Sequence, residues 1–236
     1  MMTAWDRWVA EHGEEPTGED RARIEREDAV IDLEKQLTST HENLLRMSVR
    51  PGEAWTMYGL IRLMRPDTVV EIGRLEGISS EWILNALEAN QKGHLDSIDI
   101  KTREESIPRL APWAKKKMVT IHEFDSHGPK AAELASKLGT VDFLFVDGSH
   151  TPDAVEADCR LWLPRVRGYA LFHDWSFEGV RVGIRRAIPL ENFPRHVASN
   201  EHIAAGDTHI HSHGIMLLHL PDGLRSVPAE RPGKPG

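Results

Sequence analysis

The stretch T-V-V-E-I-G-R-L-E-G-I-S-S, residues 68–80, predicts a strand, a tight turn and the start of a helix. The β-branched run ends in Glu71, Gly73 and Gly77 form the turn, and Ser79 begins a serine pair that could cap the helix. Glycines at a helix N-terminus let a ligand approach the backbone closely. The spacing E-x-G-x-x-x-G differs from the G-x-G-x-x-G of dinucleotide folds, and a glutamate repels a pyrophosphate. The pattern favours a ligand with cationic and hydroxyl groups.

This motif resembles motif I of the class I S-adenosylmethionine-dependent methyltransferases. Residues 141–188 continue the resemblance with V-D-F-L-F-V-D-G-S-H, D-C-R-L-W-L-P, A-L-F-H-D-W, and G-V followed by a basic helix. This series is similar to the bacterial O-methyltransferases grouped with macrocin O-methyltransferase, mycinamicin-type sugar O-methyltransferases and cephalosporin hydroxylase proteins. The similarity covers roughly residues 51–220. One departure is P-R-V-R-G-Y, where relatives carry a double glycine and only Gly168 remains; we interpret it as a loop variation.

Composition limits the class of protein. A length of 236 residues suits one domain with an extension, and 40% hydrophobic residues support a full core. The net charge of -8 argues against nonspecific nucleic-acid binding. Cys159 is the only cysteine, which excludes an intrachain disulfide and is compatible with the cytosol. Since no signal peptide or long apolar run is evident, we expect a cytoplasmic protein without a membrane partner. We also expect a homo-oligomer, a dimer or higher, that acts on a small molecule.

Three regions follow from the pattern along the chain. Residues 1–50 predict a charged N-terminal helical extension, either a solvated helix docked on the main domain or a lid or dimer arm. Residues 51–220 predict the methyltransferase domain, and residues 221–236 predict a disordered tail. The extension carries a broken apolar stripe at helical spacing, formed by Ile24, Ile31, Leu33, Leu37 and Leu44.

Strands and helices alternate in the central region, which predicts an α/β, Rossmann-like, doubly wound and mostly parallel sheet. Thr151 and Pro152 mark the start of the helix after strand four. In a doubly wound order strands one and four are neighbours, so the loops after Glu71 and Val146 open onto one crevice. The seven predicted strands are residues 68–72, 94–100, 118–122, 141–146, 169–172, a weaker one near 195–198, and 214–220.

Acidic residues at the strand ends predict the cofactor side. Asp99 ends strand two, 28 residues after Glu71, and can accept hydrogen bonds from both ribose hydroxyls; the alternative is a helix cap or a solvated turn. The resemblance implies that Asp125, with Ser126 beside it, accepts from the adenine amino group; the alternative is capping ahead of Pro129. Glu71 could reach the methionine ammonium group through water or backbone contacts. Together the carboxylates favour a sulfonium cation.

Asp147, His173 and Asp174 predict a metal site, because they follow two strands expected to be neighbours. Two carboxylates and an imidazole can hold a divalent cation. Metal-dependent relatives use an acid after strand four and an acidic or acid-amide pair after strand five, so His173 departs from the pattern. Imidazole is a better ligand for Mn, Fe or Zn than for Mg, so His173 leaves the identity of the metal open. The candidates are Mg, Mn and Fe. The alternative is two loop acids bonded to backbone and a buried histidine.

His150 is the candidate catalytic base, three residues after Asp147. An imidazole can take the proton of a substrate hydroxyl, and resemblance to the sugar O-methyltransferases supports this role in a D-x-x-H pair. The alternative is that it caps or packs on the following helix. His209, His211 and His213 share one face of an extended chain, but a substrate-entrance loop or a solvated face explains them better than a second metal site.

These features predict an S-adenosylmethionine-dependent, divalent-metal-assisted O-methyltransferase that acts on a hydroxyl of a small polyhydroxylated or glycosylated natural product. One alternative is a metal-dependent oxygenase with an iron site. Another is a catalytically inactive cofactor-binding protein of the same fold.

Overall fold

A computed structural model describes residues 51–188, 195–199 (backbone only) and 214–220, with short pieces at 9–10, 12–18, 20–21 and 49. All contacts below lie within the unit Gly52–Gly236. Within the described parts of the chain, no helix has the length and apolarity needed to cross a membrane. Three predicted features lie outside the described residues: the apolar stripe of the extension, the tail 221–236, and the histidines His209, His211 and His213.

Strands and helices alternate as the sequence predicts. The strands are β1 (Thr68–Ile72), β2 (His94–Asp99), β3 (Val119–Glu123), β4 (Val141–Val146), β5 (Val166–His173), β6 (Arg195–Ser199) and β7 (Ile215–His219). The helices of the same region are α1 (Pro51–Met64), α2 (Ile78–Asn90), α3 (Ser106–Lys115), α4 (Pro129–Leu138), α5 (Pro152–Trp162) and α6 (Glu178–Ala187), and a 3-10 turn (Leu163–Arg165) precedes β5.

The seven strands form one sheet in the order β3-β2-β1-β4-β5-β7-β6. Neighbours from β3 to β5 are parallel, whereas β7 is antiparallel to both β5 and β6. Strands β1 and β4 lie side by side, with Ile72 opposite Val146. The Rossmann-like, doubly wound, mostly parallel fold is therefore confirmed, including the adjacency of strands one and four at the switch point.

Strand β5 differs from the prediction, since it begins at Val166 rather than at residue 169. Gly168 lies inside this strand, so its interpretation as a loop variation is wrong. Its carbonyl accepts a hydrogen bond from the Leu220 N–H at 2.7 Å, and a Cβ there would stand 2.2 Å from the Asp142 carbonyl oxygen. The glycine thus permits a close approach of β4 to β5 at a point where their register shifts.

The central strands are buried almost throughout, because helices cover both faces of the sheet. Trp162 in α5 is the largest of the fully buried side chains. Its indole N–H donates to the Ser126 carbonyl at 2.8 Å, which satisfies the one polar atom of that side chain. This bond attaches α5 to the loop after β3.

The turn after β1 lies directly against the loop after β4. The Gly73 N–H donates to the Ile98 carbonyl at 2.9 Å, and the Asp147 N–H donates to the Ile72 carbonyl at 2.7 Å. Gly73 has a φ of 88°, and a Cβ at this position would stand 2.0 Å from the Asp147 carbonyl oxygen. Only glycine allows this combination of backbone conformation and contact.

Glu71 is completely buried beneath this turn and accepts three hydroxyl hydrogen bonds. Its Oε1 accepts from Ser79 at 2.6 Å, and its Oε2 accepts from Ser80 at 2.5 Å and from Ser97 at 2.6 Å. The prediction that the two serines of α2 cap the helix is wrong: the N-cap is Gly77, without a side-chain capping bond. Burial raises the pKa of Glu71, although the serine hydroxyls act in the opposite direction.

We expect Gly73→Ala to lower the free energy of unfolding by roughly 2–5 kcal/mol. The cost of a positive φ for alanine and the cost of the clash between its Cβ and the backbone add together. Gly139→Ala is a matched control, since Gly139 also has a positive φ of 70° but has no atom within 4 Å of an added Cβ. The control should lose only roughly 1–3 kcal/mol, the cost of an unusual backbone conformation without a clash. Urea denaturation of both variants measures the difference, and equal losses would show that the turn has room for a side chain.

We expect Glu71→Gln to change the pH dependence of stability. A carboxyl whose pKa is raised by folding binds more protons in the native state, so stability falls as pH rises from the unfolded pKa through the folded pKa. The variant should lack this fall. Glu88→Gln is a control of opposite sign: a hydrogen bond from Lys116 is the main cause that lowers the pKa of Glu88, so its contribution is present above the unfolded pKa and is lost as pH falls. Urea midpoints between about pH 4 and pH 8 test both, and a Glu71→Gln profile parallel to the wild type contradicts the first.

Candidate active site

The carboxyl ends of β1, β4 and β5 meet at one edge of the sheet. Val146 is opposite both Ile72 on β1 and Phe172 on β5, so the loops after the three strands start at the same level. Ligands of open α/β sheets bind at this edge. The structure therefore brings together the glycine turn and the polar residues that follow β4 and β5.

Asp147, His173 and Asp174 form a cluster at this edge, with one ligand atom from each lying within 4.8 Å of the others. The Nδ1 atom of His173 lies 3.1 Å from Asp147 Oδ1 and 3.3 Å from Asp174 Oδ2. Asp174 has a φ of 56°, a left-handed conformation that aspartate tolerates better than most residues. Its carbonyl accepts a hydrogen bond from the Phe177 N–H at 2.9 Å, which stabilises the turn.

Glu53 belongs to the same cluster, and the sequence analysis missed it. This residue lies in the first turn of α1, and its Oε2 is 2.8 Å from Nε2 of His173. Both side chains are buried, with 3% and 4% of their surfaces exposed. The two residues are 120 positions apart, so no local spacing connects them. The one available signal is an acidic residue beside apolar neighbours in the segment P-G-E-A-W.

The charged groups of the cluster shift one another's pKa values. Burial lowers the pKa of His173, but the charge of Asp147 and hydrogen bonds to Asp147, Asp174 and Glu53 outweigh it and raise this pKa to about 12. Burial raises the pKa of Asp147. It also acts to raise that of Asp174, where hydrogen bonds from His150 and His173 prevail and hold the pKa well below its usual range. The proton on His173 therefore offsets part of the negative charge of the carboxylates around it.

His150 contacts the cluster through Asp174. Its Nε2 lies 2.6 Å from Asp174 Oδ2, and this hydrogen bond is the main cause that raises the pKa of His150. The imidazole stacks on the Phe177 ring with centroids 4.9 Å apart and planes at 24°. A carboxylate on one nitrogen and an aromatic ring on one face define its orientation.

The backbone around His150 is also closely packed. Helix α6 approaches so closely that a Cβ on Gly179 would stand 2.0 Å from the His150 carbonyl oxygen. Thr151 occupies the N-cap position of α5, as predicted, so His150 is not the cap. The histidine is bonded to Asp174, whereas the D-x-x-H pattern suggested its neighbour Asp147. The base role stays a prediction, and the side chain is 42% exposed, which leaves it accessible.

Asp99 contacts the glycine turn. Its Oδ2 accepts the N–H groups of Arg74 and Leu75, both at 2.9 Å, and its Oδ1 accepts the Lys101 N–H at 3.1 Å. An ionised carboxylate oxygen offers about two acceptor sites, so Oδ1 retains one for a ribose hydroxyl. The prediction that Asp99 accepts from both ribose hydroxyls is untested, and this conformation offers one oxygen for it.

Asp125 and Ser126 face different partners. Asp125 is exposed, and its Oδ1 accepts the His127 N–H at 3.2 Å. Ser126 donates to Oδ1 of Asp158 at 2.7 Å, a buried acid on α5 that the sequence analysis also missed. The capping alternative is wrong, because α4 begins after Gly128 without a side-chain cap. The adenine contact of Asp125 stays a prediction, while the Ser126 hydroxyl is engaged by Asp158.

The other residues predicted to bind the cofactor determine the conformation of the turn after β1. Glu71 and Ser79 are buried and bonded to each other, so any contribution they make to cofactor binding comes through the loop they position. Gly73 and Gly77 are the two glycines of this turn, and both have a positive φ angle.

Comparisons with known proteins agree on the fold. Residues 70–175 match a family described as a methyltransferase domain. A Bacillus cereus O-methyltransferase in complex with SAH has a TM-score of 0.56 at 18% identity, over 92% of this chain and 97% of that one. The O-methyltransferase TomG of Streptomyces achromogenes, involved in tomaymycin synthesis and solved with SAM, has a TM-score of 0.52 at 19% identity, over 92% and 96%. CalS11, a TDP-rhamnose 3'-O-methyltransferase of calicheamicin biosynthesis, has a TM-score of 0.56 at 12% identity, over 84% and 95%.

No protein with a curated description matches the sequence significantly. The family match spans β1 to the residues after β5, which includes the glycine turn and the acid–histidine cluster. The strand order is the doubly wound one that the alternation of strands and helices predicted. Residues 70–175 thus match a methyltransferase-domain family, and the chain has the fold of solved S-adenosylmethionine-dependent O-methyltransferases.

Proposed function

We propose that this protein is an S-adenosylmethionine-dependent, divalent-metal-assisted O-methyltransferase that acts on a hydroxyl of a small polyhydroxylated or glycosylated natural product. The observation that carries the proposal is the cluster of Asp147, His173 and Asp174, with His150 bonded to the same Asp174 carboxylate. It lies at the sheet edge beside the glycine turn. Acid, imidazole and glycine turn therefore lie at one edge of the sheet.

The donor atoms of the cluster fit a divalent cation. Oxygen atoms of Asp147 and Asp174 and Nδ1 of His173 would hold it, a set that suits Mn or Fe and tolerates Mg. Three carboxylates around one buried imidazole also favour a positive charge at this point. When bound, such a cation holds the substrate oxygens and lowers the pKa of the hydroxyl.

The turn after β1 and the ends of β2 and β3 fit the methyl donor. Asp99 Oδ1 can accept a ribose hydroxyl, and Asp125 is exposed where an adenine amino group could donate to it. Acidic groups at this edge favour a sulfonium cation over an anionic cofactor. S-adenosylmethionine supplies a methyl group bonded to a positively charged sulfur.

His150 would receive the substrate proton. The hydroxyl oxygen forms a bond to the methyl carbon while the carbon–sulfur bond breaks, and S-adenosylhomocysteine leaves with the bonding pair. Asp174 accepts the Nε2–H of a neutral His150, which leaves Nδ1 to take the hydroxyl proton. Orientation by Asp174 and Phe177 limits the motion of the ring, and such positioning contributes much of the rate enhancement.

A substrate with two adjacent oxygens suits this centre best, because both can bind one cation. Vicinal sugar diols and catechols have this arrangement. The similarity in fold to a TDP-rhamnose 3'-O-methyltransferase supports the sugar class. An iron oxygenase is less well supported, since its usual facial triad has two histidines and one carboxylate, whereas this cluster has the reverse ratio.

Removal of metal tests the proposal most directly. We expect exhaustive chelation to abolish methyl transfer and Mn²⁺ to restore it, while calorimetry shows unchanged binding of S-adenosylhomocysteine, because the cofactor residues lie in other loops. The double variant Asp147→Asn, Asp174→Asn should behave like the chelated protein. Full transfer activity with no metal by elemental analysis would remove the cation from the mechanism. Cofactor binding without transfer under any metal would favour the inactive alternative, and oxygen uptake would favour the oxygenase.

Substitution of His150 tests the base. We expect His150→Ala to lower turnover by roughly 10²–10⁴-fold with little change in affinity for S-adenosylhomocysteine. His94→Ala is the matched control, because the His94 ring is also held by side-chain hydrogen bonds but lies at the opposite, amino end of β2. The control should reduce the melting temperature and leave turnover near normal. If His150→Ala behaves in the same way, His150 packs on Phe177 and takes no part in proton transfer.

A further inference from the structure

Glu53, the buried acid on α1, contacts the metal-site histidine His173, and this contact indicates a role for it. We propose that Glu53 is a positioning residue that holds the Nε2–H of His173, presents Nδ1 to a divalent cation, and so makes the site selective for Mn²⁺ over Mg²⁺. The inference rests on the proposed metal-assisted function, and it concerns the choice of metal rather than the reaction.

The two nitrogens of His173 face different groups. Nε2 lies 2.8 Å from Glu53 Oε2, whereas Nδ1 lies 3.1 Å from Asp147 Oδ1 and 3.3 Å from Asp174 Oδ2. The ring therefore stands between the acid of α1 and the pair of acids that could ligate a metal. Of the two ring nitrogens, only Nδ1 lies near both candidate ligands, Asp147 and Asp174.

In the metal-free protein His173 also carries a proton on Nδ1, which a bound cation would displace. The neutral ring that remains has one proton, and the hydrogen bond of one nitrogen determines which nitrogen ligates. A carboxylate at Nε2 keeps the proton there and leaves the Nδ1 lone pair directed at the cluster. Metal-ligating histidines generally donate their other N–H to such an acceptor, which fixes the ring and strengthens the ligand. Glu53 supplies this acceptor from inside the protein.

Helix α1 is held firmly enough to position the carboxylate. Its residues Met57 and Ile61 are completely buried. The Ile61 carbonyl accepts the side-chain N–H of Asn90 at 2.8 Å, and Trp55 packs edge-on against Trp82 with ring centroids 4.9 Å apart. Both contacts join α1 to α2. The carboxylate of Glu53 is thus fixed by the packing of two helices, as a ligand-orienting group requires.

The nitrogen ligand is what distinguishes the two metals. Mg²⁺ prefers oxygen donors, and Mn²⁺ accepts imidazole more readily. With the ring correctly oriented, the site offers one nitrogen in addition to the oxygens of Asp147 and Asp174. If the ring loses its orientation, the two carboxylates remain, and these bind both metals with less discrimination.

Direct titration of the metals tests the inference on the full chain. We expect calorimetry of the chelated wild type to show tighter binding of Mn²⁺ than of Mg²⁺. Glu53→Ala should lose roughly 10–100-fold in Mn²⁺ affinity and much less in Mg²⁺ affinity, and Glu53→Gln, which keeps an acceptor oxygen, should fall between wild type and Glu53→Ala. The nitrogen coupling in the electron paramagnetic resonance of bound Mn²⁺ should be present in the wild type and weakened in Glu53→Ala.

Asp158→Asn is the matched control. Asp158 is also a buried acid that contacts a histidine, with Oδ1 3.2 Å from Nδ1 of His127, but that histidine is not in the cluster. This variant should leave the ratio of Mn²⁺ to Mg²⁺ affinity unchanged. Melting temperature and binding of S-adenosylhomocysteine report whether each variant folds. If Glu53→Ala does not fold, the Mn²⁺ affinity of Glu53→Gln decides.

The outcomes separate two failures. A wild type that binds neither metal overturns the metal-assisted function and this inference with it. A wild type that binds metal, with the same Mn²⁺ to Mg²⁺ ratio in the folded Glu53 variants, overturns the role of Glu53 alone. In that case Glu53 only joins α1 to β5.

Discussion

The imidazole of His173 is the group around which the candidate site is organised. Three carboxylates, from Glu53, Asp147 and Asp174, lie within hydrogen-bonding or ion-pair distance of its two nitrogens. Burying such charges costs more than their attraction returns unless the geometry is good and every partner is present. Because the partners come from α1, from the end of β4 and from the end of β5, the cluster exists only when the sheet and its covering helix are assembled. Removal of His173 would leave the three carboxylates as uncompensated charge in the interior.

A second buried acid shows how the same problem can be solved without chemical reactivity. Glu71 is bonded to three serine hydroxyls, which stabilise it without adding charge. It positions the glycine turn, and Gly73 of this turn contacts the Asp147 backbone. Glu71 and the cluster at His173 therefore have different roles. Glu71 fixes the shape of the glycine turn, and the cluster supplies charged groups that can bind a cation or exchange a proton.

The fold alone does not assign the reaction, since folds of this class support many activities. The assignment depends on particular side chains at the edge of the sheet. Asp174 connects two of them, because one of its oxygens lies against both His150 and His173. A cation at the cluster and a base at His150 would thus be joined through one carboxylate, and a substrate oxygen and its proton acceptor would then be held in fixed relation. That relation is what an in-line methyl transfer to a hydroxyl requires.

Local patterns in the sequence determined a large part of this protein. The β-branched runs at residues 68–72 and 141–146, the alternation of strands and helices, and Gly73 after Glu71 were sufficient for the fold class and for the neighbouring positions of β1 and β4. The rule that neighbouring parallel strands end at one edge was sufficient to group Asp147 with His173 and Asp174. These inferences succeed because backbone preferences and strand direction depend on nearby residues.

The tertiary structure alone decided which side chains meet. It paired His173 with Glu53, His150 with Asp174, and Ser126 with Asp158. It also showed that the serines after Gly77 brace Glu71 instead of capping the helix. Each of these contacts joins elements far apart in the chain, or competes with a local alternative of similar energy. Their outcome depends on distances of a few tenths of an ångström between packed elements, and sequence spacing carries no information on such distances.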